Sequence, residues 1–216
     1  IGIFASGVND FEAYCNIINS ATDYGIQQLG GYRSYIHNNQ LYGIGSANNG
    51  IDVRLSSTVG TPTNLSVMIA DNFVDGGRNG IDVSLSSSTS GDVFDAIIAG
   101  NIVSNSYDNG IYVATSGQNL RATVQVLDND ILEPGSDAIH IYHTDSGTAG
   151  TGAYTNIVSG NYATGSGVPG DGVDIGYFGD TASVFAQVIG NELIDIFGTG
   201  IEIDYYSYTS ASAGPG

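Results

Sequence analysis

The sequence predicts an all-β solenoid of about seven coils, and three observations carry that prediction. Asn49-Gly50-Ile51-Asp52-Val53 returns unchanged as Asn79-Gly80-Ile81-Asp82-Val83, and then as Asn109-Gly110-Ile111-Tyr112-Val113. Looser copies follow at Asp137–Ile141, Asp171–Ile175 and Thr199–Ile203, with a degenerate first copy at Tyr24–Gln28. Second, an Asn stands after a short apolar run and two positions before an aliphatic residue: Asn72, Asn101, Asn129, Asn161 and Asn191, with Asn16 and Asn39 as earlier members. Third, no stretch of any length shows a helical period. A repeat of roughly thirty residues without helices marks stacked strands rather than βαβ units.

Each coil reads in order. The Gly-Ile-x-Val strand alternates, so Ile51 and Val53 point inward and Asp52 outward. A Ser/Thr/Gly loop follows, as in Ser56–Asn64 or Ser86–Asp92. The second strand runs up to the Asn and places Leu65, Val67 and Ile69, or Ala122, Val124 and Val126, inward. A short turn after the Asn closes the coil. Strands repeating with one polarity stack in parallel about 4.8 Å apart. The Asn amides then form a structural ladder that bonds the coils above and below. Gly before Ile suits a corner with positive φ or with closely approaching backbones. One domain covers 1–216: an N-terminal strand and edge at 1–15, repeats at 16–204, and a tail at 205–216.

The Asn-x-aliphatic … Gly-Ile-x-Val pattern resembles the single-stranded right-handed parallel β-helix repeat of the pectate-lyase-like superfamily and of bacterial surface proteins. It does so over Asn16 to Asp204. The resemblance implies a fold and leaves function open, since lyases, hydrolases, epimerases, phage tailspikes, adhesins and plain structural solenoids share it. The enzymatic signatures are missing. Arg33, Arg54, Arg78 and Arg121 are the only basic residues, at different coil positions. The Asn-Thr-Asp, Gly-His-Gly, Arg-Ile-Lys and Asp-Pro-His motifs are absent.

Charge narrows the partners. With 22 acidic residues against 4 basic, the net charge is −18. This argues against nucleic acid, which is bound by neutralising phosphates, and against anionic membranes. No apolar run approaches the roughly eighteen residues of a membrane span. One Cys gives no disulfide framework. Abundant Gly, Ser, Thr, Asn and Asp are expected of an extracellular or cell-surface protein. The opening Ile-Gly-Ile-Phe, without initiator Met or leader, is expected of a mature product or an excised piece.

The outward column of the Gly-Ile-x-Val sheet reads Gln27, Asp52, Asp82, Tyr112, His140, Asp174, Glu202. Asp52 beside Asp82 forms a like-charge pair, which raises one pKa or takes up Ca²⁺. Otherwise the chain needs no cofactor. Tyr112, His140 and Asp174 put a phenol, an imidazole and a carboxylate on successive rungs, a set suited to acid–base work on a glycan. Ordinary outward polarity explains the same residues. Loops at Thr144–Ala153 and Thr164–Gly170 flank His140, His143 and Asp171.

The second strand is apolar outward as well, at Met68, Ile97, Leu127, Ile157 and Ile189. A stripe of this kind predicts self-association into a homo-oligomer or polymer. Tyr205, Tyr206 and Tyr208 add aromatic surface for a partner or a cell-surface glycan. Open strands at the ends, with Ile1–Phe4 as the donated element, allow filament growth. The expected function is structural or adhesive. The alternatives are a polysaccharide lyase, hydrolase or epimerase, and a non-catalytic glycan-binding module.

Overall fold

The structure, a computed structural model, describes residues 1–57, 64–88, 91–145, 152–165, 167–179 and 183–206. Tyr208 and parts of the four loops named above lie outside them. The described residues form three parallel sheets and no helix. The first sheet has eight strands and the other two have seven each. Seven rungs joined by six stacking steps make about six turns, where counting repeats gives seven coils.

The coils are numbered here by their first-sheet strands: Ile3–Ser6, Ile26–Leu29, Ile51–Ser57, Ile81–Ser87, Ile111–Gly117, Ile139–Asp145 and Val173–Phe178. Ile201–Tyr206 follows as a final strand. The first rung therefore begins at Ile3, ahead of the expected start at Asn16. Ile3–Ser6 is paired within the chain to Ile26–Leu29 and is not a free strand for donation.

One buried column runs Ile26, Ile51, Ile81, Ile111, Ile139, Val173, each the register partner of the next. Ile36, Ile69, Ile98, Val126 and Val158 form the matching column of the second sheet. A branched side chain buried this way contributes about 1.5–3 kcal/mol. The two columns seal the interior because every coil covers its neighbour's.

The turn expected after each Asn is a third sheet of short strands, such as Ile102–Ser104 and Asp130–Leu132. They give Leu41, Val74, Val103, Ile131 and Ala163 to the interior, one per strand except that the strand of Leu41 also buries Ile44. A three-residue strand shows no alternation to read in a sequence.

The Asn ladder is continuous. Nδ2 of Asn16, Asn39, Asn72, Asn101, Asn129 and Asn161 each donates to Oδ1 of the next member at 2.8–2.9 Å, ending on Asn191. The same Oδ1 atoms accept the preceding Asn backbone N–H. Side-chain amides thus satisfy corner backbone that no strand ladder reaches. The residue just before each Asn is left-handed: Cys15, Asn38, Asp71, Gly100, Asp128, Gly160, Gly190. From Asp71 to Gly160 Asp and Gly alternate, and each Asp carboxylate lies over the Gly of the next coil. A Cβ at Gly100 would meet Asp71 Oδ1 at 2.7 Å, and one at Gly160 would run into Asp128 Oδ1.

Gly before Ile is explained by close approach, because φ is not positive there. A Cβ at Gly80 would strike Val103 and sit 2.8 Å from the carbonyl oxygen of Gly110. Coil 6 carries Ala138 at this position, buried, and its third-sheet residue shrinks to Ala163. Volume lost on one side is regained on the other.

Candidate functional site

The repeat places one outward column on the first sheet, with Asx residues three positions earlier forming a second ladder beside it. Backbone N–H groups of Asn79, Asn109, Asp137 and Asp171 donate to Oδ1 of Asn49, Asn79, Asn109 and Asp137 at 2.8–3.3 Å. The side chains of this second ladder decide what the outward column becomes.

In coils 3 and 4 they are amides. Asp52 and Asp82 are outward and adjacent in register, yet both are buried, Asp52 completely. The like-charge pair is present, sealed beneath neighbouring side chains. Asp52 accepts from Gln27 Nε2 (2.7 Å), Asn49 Nδ2 (3.0 Å) and Arg54 Nε (3.1 Å). Asp82 accepts from Asn49 and Asn79 Nδ2, each at 2.9 Å, and from Ser84 Oγ at 3.2 Å. Strand parity gives direction, but these neighbours supply the cover. All four carboxylate oxygens already accept bonds, so Ca²⁺ would have to displace amide and guanidinium donors. Burial, then the Asp52 charge, pushes the Asp82 carboxyl above its usual range, opposed by the Asn79 and Ser84 bonds.

Coils 5 to 7 differ. Tyr112, His140 and Asp174 are direct register partners on three rungs. His140 lies between two carboxylates: Nδ1 is 3.1 Å from Asp137 Oδ2, and Nε2 is 3.6 Å from Asp174 Oδ2. Sequence reasoning did not assign Asp137 a role. Its signal was the three-residue offset shared with Asn49…Asp52 and Asn79…Asp82. Asp137 is fixed twice over, since Oδ1 accepts the Asp171 N–H at 2.8 Å and its own N–H donates to Asn109.

Burial works against the His140 charge, but the Asp137 hydrogen bond and the Asp174 and Asp137 charges outweigh it and raise the imidazole. For Asp137, the His140 and Asp171 hydrogen bonds overcome burial and lower the carboxyl. Burial raises Asp174, opposed by His140 and reinforced by Asp137. Tyr112 meets His140 edge-on at 5.4 Å, and burial raises its phenol. The cluster could hold, donate or accept a proton at a half-buried imidazole.

An aromatic shelf adjoins it. Tyr142 packs on Phe178 at 4.8 Å, and Phe178 stacks on Tyr206 at 4.5 Å. Gly176 lies beneath the Tyr142 ring, where a Cβ would touch it at 3.4 Å. Glu202 succeeds Asp174 on the final strand. His143, expected beside the flanking loops, instead points inward and is fully buried. It bonds Thr115 Oγ1 (2.7 Å) and Asn156 Oδ1 (2.9 Å). Burial lowers its pKa to about 4.

On the second sheet the five apolar residues are outward but fall in two rows. Met68, Ile97, Gln125, Ile157 and Gln187 share one register line, and Ala70, Ala99, Leu127, Ser159 and Ile189 share the next. Met68 is 38% and Ile189 57% exposed. No family model, no curated protein and no solved structure matches the chain, so its function is read from this geometry alone.

Proposed function

We propose that the chain is a structural or adhesive solenoid of the extracellular space or cell surface, which associates with copies of itself through the outward face of its second sheet. One observation carries this reading. From coil 3 to coil 7 the ten positions of the two rows just described include no charged side chain, in a chain with 22 acidic residues, and only where the rows run on into coils 1 and 2 do they meet Glu12 and His37. A net charge of −18 opposes association over most of the surface, so this uncharged, partly apolar strip, flanked on the same face by exposed Asp95 and Arg121, is where copies can meet at least electrostatic cost. Light scattering and electron microscopy of the purified chain test it. Assemblies of defined size are expected, and Ile97→Lys or Ile157→Lys should dissolve them while the thermal melt stays near wild type. A strictly monomeric wild-type particle would overturn the reading.

A second reading is favoured by the imidazole held between Asp137 and Asp174 beside the aromatic shelf. In it the first-sheet face binds a neutral glycan, with His140 and Asp174 as acid and base and the rings as stacking surface. Turnover or binding of glycans that is lost in His140→Ala supports it. Indifference to that change sinks it.

A further inference from the structure

We propose that Asp137, His140 and Asp174 form a site for one first-row divalent transition-metal ion, zinc in the first instance. The inference does not rest on self-association. One imidazole nitrogen and one oxygen from each carboxylate all lie within 4.8 Å of one another, and all three residues are half-buried. A metal with bonds of about 2.0–2.2 Å needs ligand atoms about 3.4 Å apart, so modest side-chain rotation closes the site around an ion. Imidazole with two carboxylates is a borderline donor set that suits zinc better than calcium, which takes six to eight oxygens.

The contrast with coils 3 and 4 points the same way. There every carboxylate oxygen meets an amide, hydroxyl or guanidinium donor from Gln27, Asn49, Asn79, Ser84 or Arg54. In coils 6 and 7 the Asx ladder switches from Asn to Asp137 and Asp171, which cannot donate from the side chain. Among the described residues, Asp174 is left with one nitrogen partner, His140 at 3.6 Å. The oxygens that converge here, Asp137 Oδ2 and Asp174 Oδ2, thus share a single imidazole between two half-buried carboxylates, and a cation is the natural complement. Asp137 is held in place by the ladder through its other oxygen, as a ligand carboxylate commonly is. Three protein ligands leave a coordination position open toward solvent, beside Tyr112 and the Tyr142–Phe178 shelf.

The test titrates the full chain, stripped with chelator, with Zn²⁺ by calorimetry and with Co²⁺ by visible absorption. One Zn²⁺ per chain is expected, together with Co²⁺ d–d bands of low-coordinate intensity. His140→Gln and Asp174→Asn should each weaken binding at least about tenfold. Asp137→Asn should do the same while preserving the fold, because Asn already fills this ladder position at Asn49, Asn79 and Asn109 and keeps the oxygen that accepts the Asp171 N–H. His37→Gln, at the other half-buried imidazole, should leave binding unchanged. Absence of Zn²⁺ binding up to about 1 mM overturns the proposal. So does binding that survives His140→Gln and Asp174→Asn, binding lost in His37→Gln instead, or Ca²⁺ taken up at the same site with equal affinity.

Discussion

Coils 3–4 and coils 6–7 share a backbone and differ in what stands on it. Along one face the Asx ladder reads Asn49, Asn79, Asn109 and then Asp137, Asp171, while the outward column reads Asp52, Asp82 and then His140, Asp174. Inside, at one inward register position, Leu55 and Leu85 give way to Thr115, His143 and Tyr177. In the first pair of coils the column's acids are covered by amide and shut away from water. In the second pair acid faces acid across an imidazole that solvent reaches. The repeat fixes positions, and substitution at two of them separates a sealed hydrogen-bond network from a candidate reactive site.

The sharpest way to break the contrast is to give coil 4 the ladder chemistry of coil 6. Asn79→Asp puts a second carboxylate against buried Asp82 and removes the amide donor that Asp82 uses. A loss of about 3–4 kcal/mol is expected in chemical denaturation, since a buried charge is left unpaired beside a like charge. A change below about 1 kcal/mol would mean that the two halves are interchangeable.

Acid should probe the interior difference. His143 is neutral in the folded state, with a pKa lowered to about 4 from 6.5 by burial. Between those values the unfolded chain binds the proton and the folded chain does not, so stability falls as pH falls from about 6.5 to about 4. The loss amounts to about 3 kcal/mol. Urea melts of wild type and His143→Gln at pH 7 and pH 4.5 isolate it. The variant should show a markedly shallower dependence, and parallel profiles would contradict the assignment.

Gly80 and Ala138 offer a steric version of the comparison. Gly80→Ala should cost about 2–3 kcal/mol through overpacking against Val103, and adding Val103→Ala should recover part of it by copying the Ala138 and Ala163 arrangement. Strict additivity in that cycle would show that the two sites do not compensate. The smallest effect separates the two carboxylates. Asp52→Ala strands the Gln27 and Asn49 amides and should cost about 2 kcal/mol, whereas Asp174→Ala should cost less than about 1 kcal/mol. Thermal melts of the two variants measure it.

Much of the architecture was legible because period-2 alternation recurs at the same offset in every coil. Ile51, Ile81 and Ile111 could be put in one column without knowing a single contact. The third sheet was not legible, since Val74, Val103 and Ile131 each stand alone between turns. At the candidate site, register alone brought Tyr112, His140 and Asp174 together. Asp137 escaped notice because it was read as the lead residue of a corner, and its role depends on an N–H supplied by the following coil. The burial of Asp52 escaped for a similar reason. Direction is a property of one strand, whereas cover comes from residues 3 to 33 positions away.

The alternation of Asp71, Gly100, Asp128 and Gly160 before the ladder bears on how near-identical repeats find their proper neighbours. Each Asp leans over the Gly of the following coil, which has no side chain to obstruct it. A chain that looped out one coil while folding would bring Asp71 down upon Asp128, bulk against bulk and negative upon negative. At this corner the rhythm therefore weighs against loss of the Gly100 coil in particular, whereas loss of the Asp128 coil would set Gly100 against Gly160 and meet no such resistance.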